Sequence, residues 1–165
     1  MKKPNLKLMT KEEIEKNRIK AYTYVTIKEE KMKTLLWLDD IRDPFVGDWL
    51  MAYAPEFAYG EGEVVWVKNF DDFVNHIKFK GMPDMISFDH DLGEDVARER
   101  VSKGMSKRQA RIKKRETKSG YDCSKWLVDY CLDNEIPIPK FGVHSANPVG
   151  AENIRKLLVN AMKHI

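Results

Sequence analysis

LLWLDD at 35–40 is the stretch on which the fold turns: four apolar residues followed at once by two aspartates. A run this short and this apolar reads as a buried strand, and Asp39 and Asp40 fall where it should end. The pattern recurs in DMISFDHDLG (84–93) and FGVHSAN (141–147), each a β-rich run closing on polar residues able to do chemistry. In open parallel α/β sheets the ligand crevice lies outside the carboxyl ends of the strands. Asp39, Asp40, Asp89, His90, Asp91, His144, Ser145 and Asn147 are therefore expected to converge, although they are spread widely along the chain.

Between these runs the chain alternates. Strands are expected at 35–39, 64–67 (VVWV), 85–88 and 141–145. Phe70, Phe73, Val74 and Ile77 recur at helical spacing and predict an amphipathic helix over 70–79, stopped by Gly81 and Pro83. A second helix is expected over 121–134, burying Cys123, Trp126, Leu127, Tyr130 and Cys131. A third carries Ile154, Leu157, Leu158, Ala161 and Met162 to the C-terminal end. Residues 40–62, with Pro44, Pro55 and Gly60, read as irregular. Strands alternating with helices predict an α/β domain over 34–165, its mostly parallel sheet covered on both faces. Residues 1–33 read as an extension. Thr10 and Glu13 form a capping-box pattern for a short helix to about Lys20, and AYTYVTI (21–27) suits an edge strand. The extension is either an adornment or a surface for a protein partner.

At 165 residues, with 42% hydrophobic and 33% charged residues, the chain suits one core-forming domain with a well-charged surface. No apolar run has the length of a membrane span and no signal peptide opens the chain, so a membrane role is not expected. Cys123 and Cys131 share one helix face with Leu127, which predicts buried reduced thiols and a cytoplasmic setting. The net charge of +3 conceals an asymmetry: residues 94–119 hold ten Lys or Arg against four acids, +6, leaving the remainder at −3. SKRQARIKKRE within this basic insert has good helix formers and no breaker. Such a run is either a solvated face or, beside a phosphate site, a contact for nucleotide or RNA.

Adjacent carboxylates at a strand end repel one another, and burying them unpaired is costly. A divalent cation resolves both problems, and Mg²⁺ suits oxygen ligands and phosphate substrates. Asp39, Asp40 and Asp89 are thus candidate metal ligands; the bland alternatives are a helix cap and an ion pair to Arg42. In DHDLG, Asp91 can orient the His90 imidazole for acid–base work, or the segment is a turn. Asn147 and Pro148 suit the N-cap and first position of the last helix, whose free N–H groups favour an anion. His144, just before it, is a candidate general acid or base. Ser145, Asn147, Arg42 and Lys118 are candidates for holding phosphate. There is no Walker loop, GxSxG elbow, paired CxxC or HExxH to compete.

LWLDDIRDP, ISFDHDLG, SGYDCSKWL and HSANPVGAENI together resemble the cyclic-phosphate processing receiver domains, relatives of response-regulator receivers, over roughly 34–162 without much of 94–118. The resemblance implies a flavodoxin-like sheet lacking the last receiver strand. It also implies Mg²⁺ held by Asp39 and Asp40, with Asp89 in the phospho-acceptor position. The implied activity is processing of a cyclic phosphate on RNA ends or on a cyclic nucleotide. A metal-assisted phosphoesterase with His144, His90, Asp89 and Asp91 as catalytic candidates is the leading expectation. The alternatives are a non-catalytic binder of phosphorylated or cyclic nucleotides, or of a protein, and a switch phosphorylated on Asp89.

Overall fold

A computed structural model describes residues 10–16, 32–114 and 117–164. Two units are distinguished, Met1–Met32 and Lys33–Ile165. In the first, the Glu13 N–H donates to Thr10 Oγ1 at 3.3 Å and the Thr10 N–H to Glu13 Oε2 at 2.9 Å, so the capping box forms and residues 11–16 are helical. The remainder of the expected helix and the strand at 21–27 lie outside the described residues.

The second unit is built on four parallel strands: β1 (Lys33–Leu38), β2 (Gly62–Val67), β3 (Met85–Phe88) and β4 (Lys140–Val143), in the spatial order β2-β1-β3-β4. Among the described residues no further strand lies outside β4, which is the flavodoxin-like arrangement without its last strand. The helices are α1 (Trp49–Tyr53), α2 (Phe70–Lys80), α3 (Glu94–Ser102), α4 (Lys107–Lys114), α5 (Gly120–Asp133) and α6 (Pro148–Ala161).

Strand alternation sorts the core into two layers. Leu36, Leu38, Ile86 and Phe88 face Phe73 and Ile77 of α2, Leu127 and Cys131 of α5, and Ile154 and Leu158 of α6. Each of the Leu, Ile and Phe side chains in this layer contributes about 1.5–3 kcal/mol by leaving water. On the other face Leu35 and Trp37 meet Leu50, Ala54 and Phe57. That face corrects one expectation: 40–62 is not wholly irregular, because α1 and a 3₁₀ turn at Pro55–Phe57 form the second layer. The basic insert folds as two helices, α3 and α4, reversed at Gly104 (φ +94°), with Ala110 buried as its anchor. Met162, expected on the buried stripe, is exposed just past the end of α6.

Cys123 and Cys131 are free and buried, and burial pushes both thiols above their ordinary range, as inert core residues. Among the described residues no helix is long and apolar enough to cross a membrane.

Ser119 caps α5 through a full capping box with Asp122, which also pairs with Lys125 Nζ at 2.8 Å. Burial pushes the Asp122 carboxyl up, but the bonds from Lys125 and Ser119 outweigh it and bring it to about 2. A carboxyl depressed in the fold contributes stability above its unfolded pKa and loses it as pH falls through the folded value. Solvent screening at this half-buried site holds the contribution to about 1 kcal/mol. Asp122→Asn is expected to flatten the fall in urea stability between about pH 4 and pH 2; an unchanged slope there would remove Asp122 from acid denaturation.

Candidate functional site

The parallel register lines up the strand ends. Leu38 is paired with Val67 on one side and Phe88 on the other, and Phe88 with Val143. One residue further on, Asp39 donates its N–H to Val67 O, Asp89 to Leu38 O and His144 to Phe88 O. Lys68, Asp39, Asp89 and His144 thus stand in a row along the carboxyl edge. The expected convergence of the three strand ends is met.

Asp39, Asp40 and Asp89 are all buried, with one carboxylate oxygen from each within 4.8 Å of the others. Their oxygens are not equally free. Asp39 Oδ1 accepts the N–H groups of Ile41 (2.8 Å) and Arg42 (2.6 Å), and Oδ2 accepts Arg42 Nη1 (2.9 Å) and pairs with His144 Nε2 (3.0 Å). Burial pushes the Asp39 carboxyl up, but the bonds from His144, Arg42 and Ile41 overcome it and leave it below its ordinary value. Asp40 Oδ2 accepts the Asp95 N–H at 3.0 Å, and burial holds this carboxyl above its ordinary value. Asp40 Oδ1 and Asp89 Oδ1 are buried without a hydrogen bond. Arg42 Nη1 approaches Asp89 Oδ1 at 3.4 Å, an ion pair too long to satisfy it.

Two buried carboxylate oxygens without a hydrogen bond among the described residues, one of them beside Arg42, suit a hard divalent cation. The donor set therefore fits Mg²⁺, with Asp40 and Asp89 as the available ligands. Asp39 joins only by giving up its bond to Arg42. The anticipated Arg42 ion pair is thus present beside carboxylates that could hold a cation, and Arg42 is the internal counter-ion of the cluster.

His144, a candidate general acid or base, is buried. Alternation puts it on the same sheet face as Trp37 and Ser87, and its ring stacks on Trp37 with centroids 3.9 Å apart. Nδ1 bonds Ser87 Oγ at 2.8 Å, Nε2 bonds Asp39 Oδ2, and the side chain is wholly buried. Both ring nitrogens are thus engaged, one on Ser87 and the other on Asp39. Trp66 Nε1 donates to Asp39 O (2.5 Å) and Trp37 Nε1 to Arg42 O (3.0 Å), fixing the loop after β1. The sequence reading did not single out Ser87 or these indoles; a hydroxyl inside the apolar run MISF was the available signal.

His90 is the accessible histidine of this edge. Nδ1 lies 3.0 Å from Asp91 Oδ1, and the side chain is about one-fifth exposed. With Nδ1–H given to Asp91, Nε2 keeps its lone pair for a proton. The ring packs so closely on Gly150, in the first turn of α6, that a Cβ there would overlap it. Gly120, at the start of α5, leaves no room for a Cβ either: one would collide with the Asp89 carbonyl, while its own N–H donates to His90 O at 2.9 Å. Neither glycine was picked out in the sequence. Two helix starts thus close on the backbone and ring of the DHD segment.

The remaining candidates divide. Asn147 Oδ1 caps α6 through the Gly150 N–H (3.0 Å), and its Nδ2 lies 3.4 Å from His90 Nδ1 and 3.5 Å from Asp91 Oδ1. Ser145 Oγ accepts the Asn147 N–H at 3.2 Å. Both serve first to shape the turn beneath His90. Lys118 Nζ sits 3.5 Å from the Phe70 ring centroid and lines a cleft of about 280 Å³ with Lys68 and Asp95. His90 and Asp91 line a different cleft, of about 580 Å³, with Arg111, Lys114 and Ser119. Leu92 and Thr117 border both, so the two clefts are neighbours, but Lys118 and His90 do not share one.

Among known proteins, a family model described as the cyclic-phosphate processing receiver domain matches residues 34–160, which span all four strands and the three aspartates. No curated protein and no solved structure matches the chain.

Proposed function

The chain belongs to the cyclic-phosphate processing receiver domain family, and from that premise we propose that it is a divalent-metal-dependent phosphodiesterase. Its substrate is a cyclic phosphate, on an RNA end or on a nucleotide. The observation that carries this reading is the pair of buried oxygens without a hydrogen bond among the described residues, Asp40 Oδ1 and Asp89 Oδ1, on the edge where His90 follows Asp89. In ring opening, water adds to phosphorus, one ring P–O bond breaks, and the departing oxygen takes a proton. His90 Nε2 exchanges those protons, and Asp91 holds the ring in the required tautomer. Arg42, paired with Asp39 and Asp89, would trade a carboxylate for a phosphate oxygen. Asp40 and Asp89 would hold the cation, with Asp39 steadied behind them by His144. When bound, a divalent cation supplies Lewis acidity and neutralises phosphate charge.

Incubation with 2′,3′-cyclic mononucleotides, cyclic oligonucleotides and cyclic-ended RNA, with Mg²⁺ or with EDTA, tests this. The expected product is a phosphomonoester, formed only with the metal. Tight binding without product identifies the non-catalytic binder instead. Labelling by acetyl phosphate that Asp89→Asn abolishes, again without turnover, identifies the switch.

The metal site has its own readout. A cation that binds only the folded state at a hundredfold over its Kd stabilises by about 2.7 kcal/mol, which for a chain of this size raises Tm by about 5–10 °C. Asp40→Asn and Asp89→Asn are each expected to erase most of that Mg²⁺-dependent rise, measured by calorimetry. A wild-type Tm indifferent to Mg²⁺ would remove the metal from the proposal.

A further inference from the structure

The cleft of about 580 Å³ in front of His90 has room for one terminal nucleotide, and its charge is unevenly spent. Each carboxylate lining it already has a partner. Asp91 pairs with His90, Glu94 with Lys114 and Asp122 with Lys125. Arg111 is exposed in the same wall and, among the described residues, has no ion-pair or hydrogen-bond partner. Lys107 lies four residues earlier on α4, so it shares the Arg111 face one turn away. Lys107 is exposed and likewise unpaired among the described residues. From Lys107 to Lys114 the helix rises about 10 Å, so this face leads out of the cleft and past a single nucleotide. Ala110 is buried, and α4 packs against α3, so the basic face is held within a folded pair of helices.

We infer that α4 is a rail for single-stranded RNA: the strand's terminal nucleotide enters the His90 cleft, and Arg111 and Lys107 hold the phosphates that precede it. This rests on reading the cleft as a site for a phosphate end, and it names the substrate as a strand rather than a free nucleotide. Phosphates neutralised by Arg or Lys release counterions, so such a contact is read from the salt dependence of binding.

The test uses a labelled eight-nucleotide oligouridine ending in a 3′-phosphate, compared with uridine 3′-monophosphate, on the full chain across a range of salt. Neither probe requires turnover. The strand is expected to bind at least about tenfold more tightly than the mononucleotide. The double variant Lys107→Gln/Arg111→Gln should lose that advantage. It should also lower the slope of log K against log salt by about 1.4, at 0.7 per contact for single strands. Circular dichroism verifies that the variant stays folded, as expected for two exposed side chains. Equal affinity for strand and mononucleotide, or an unaltered slope, overturns the rail. A protein that opens cyclic mononucleotides yet gains nothing from a strand fails here alone. One that binds the strand but never opens a cyclic phosphate fails only as an enzyme.

Discussion

Replacing His90 with alanine is expected to slow opening of a cyclic phosphate by about a hundredfold or more, the size of a lost proton-transfer group, while Tm moves by only a few degrees. The two halves of that expectation come from the same geometry. His90 lines an open cleft, and its Nδ1 lies against Asp91 at 3.0 Å, which leaves Nε2 as the nitrogen for proton exchange. No other imidazole on this edge reaches the cleft, because His144 is sealed behind Asp39. The cost to the fold is small because the groups that His90 leaves behind are not buried orphans. Asp91 is exposed, and Asn147 keeps its cap on Gly150. Turnover of the variant at saturating Mg²⁺, beside its melting curve, measures both. A His90→Ala protein that turns over at the wild-type rate would take the proton-transfer role away from this residue.

Much of this was legible in the chain, and the reasons are local. Short apolar runs ending in acids fix strands and their ends, and a parallel sheet then has to bring Asp39, Asp89 and His144 to one edge. Residue parity went further than the expectation drawn from it. Positions 37, 87 and 144 share a face by simple alternation, so a histidine packed on Trp37 and Ser87 was implied. What the sequence could not supply was the covering of that face. α1 lies in a stretch rich in turn residues, and only its placement brings Tyr53 to within 5.8 Å of the His144 ring and makes the pocket closed. The same holds for Gly120 and Gly150. A glycine beside a helix cap reads as turn chemistry until the Asp89 carbonyl and the His90 ring are found pressed against it. The ion pair weighed for Asp39 forms with Arg42, while Asp40 Oδ1 and Asp89 Oδ1 accept no hydrogen bond among the described residues and are the oxygens a cation could use.

His144→Ala, in contrast to His90→Ala, is expected to act on the fold first, lowering stability by about 3–5 kcal/mol. A wholly buried ring is removed from beneath Trp37, which leaves a cavity that the sheet edge has little freedom to close. Two buried polar groups lose a partner at once: Ser87 Oγ loses its bond at 2.8 Å, and Asp39 Oδ2 is left to Arg42 alone. Each such loss costs about 1–3 kcal/mol, and the cavity and polar terms overlap because the same imidazole fills both roles. For a chain of this length the loss corresponds to a fall in Tm of about 10–15 °C. Ser87→Ala removes only one of these bonds and a small volume, so it should fall well short of His144→Ala in denaturant midpoint. Turnover per folded molecule separates positioning from proton transfer. With His144 gone, Asp39 is still tethered by Arg42 and by the N–H groups of Ile41 and Arg42. The folded fraction should therefore keep more activity than His90→Ala does. A His144→Ala protein of nearly wild-type stability but without turnover would reverse the assignment, making the buried ring the proton carrier and leaving His90 as the bystander.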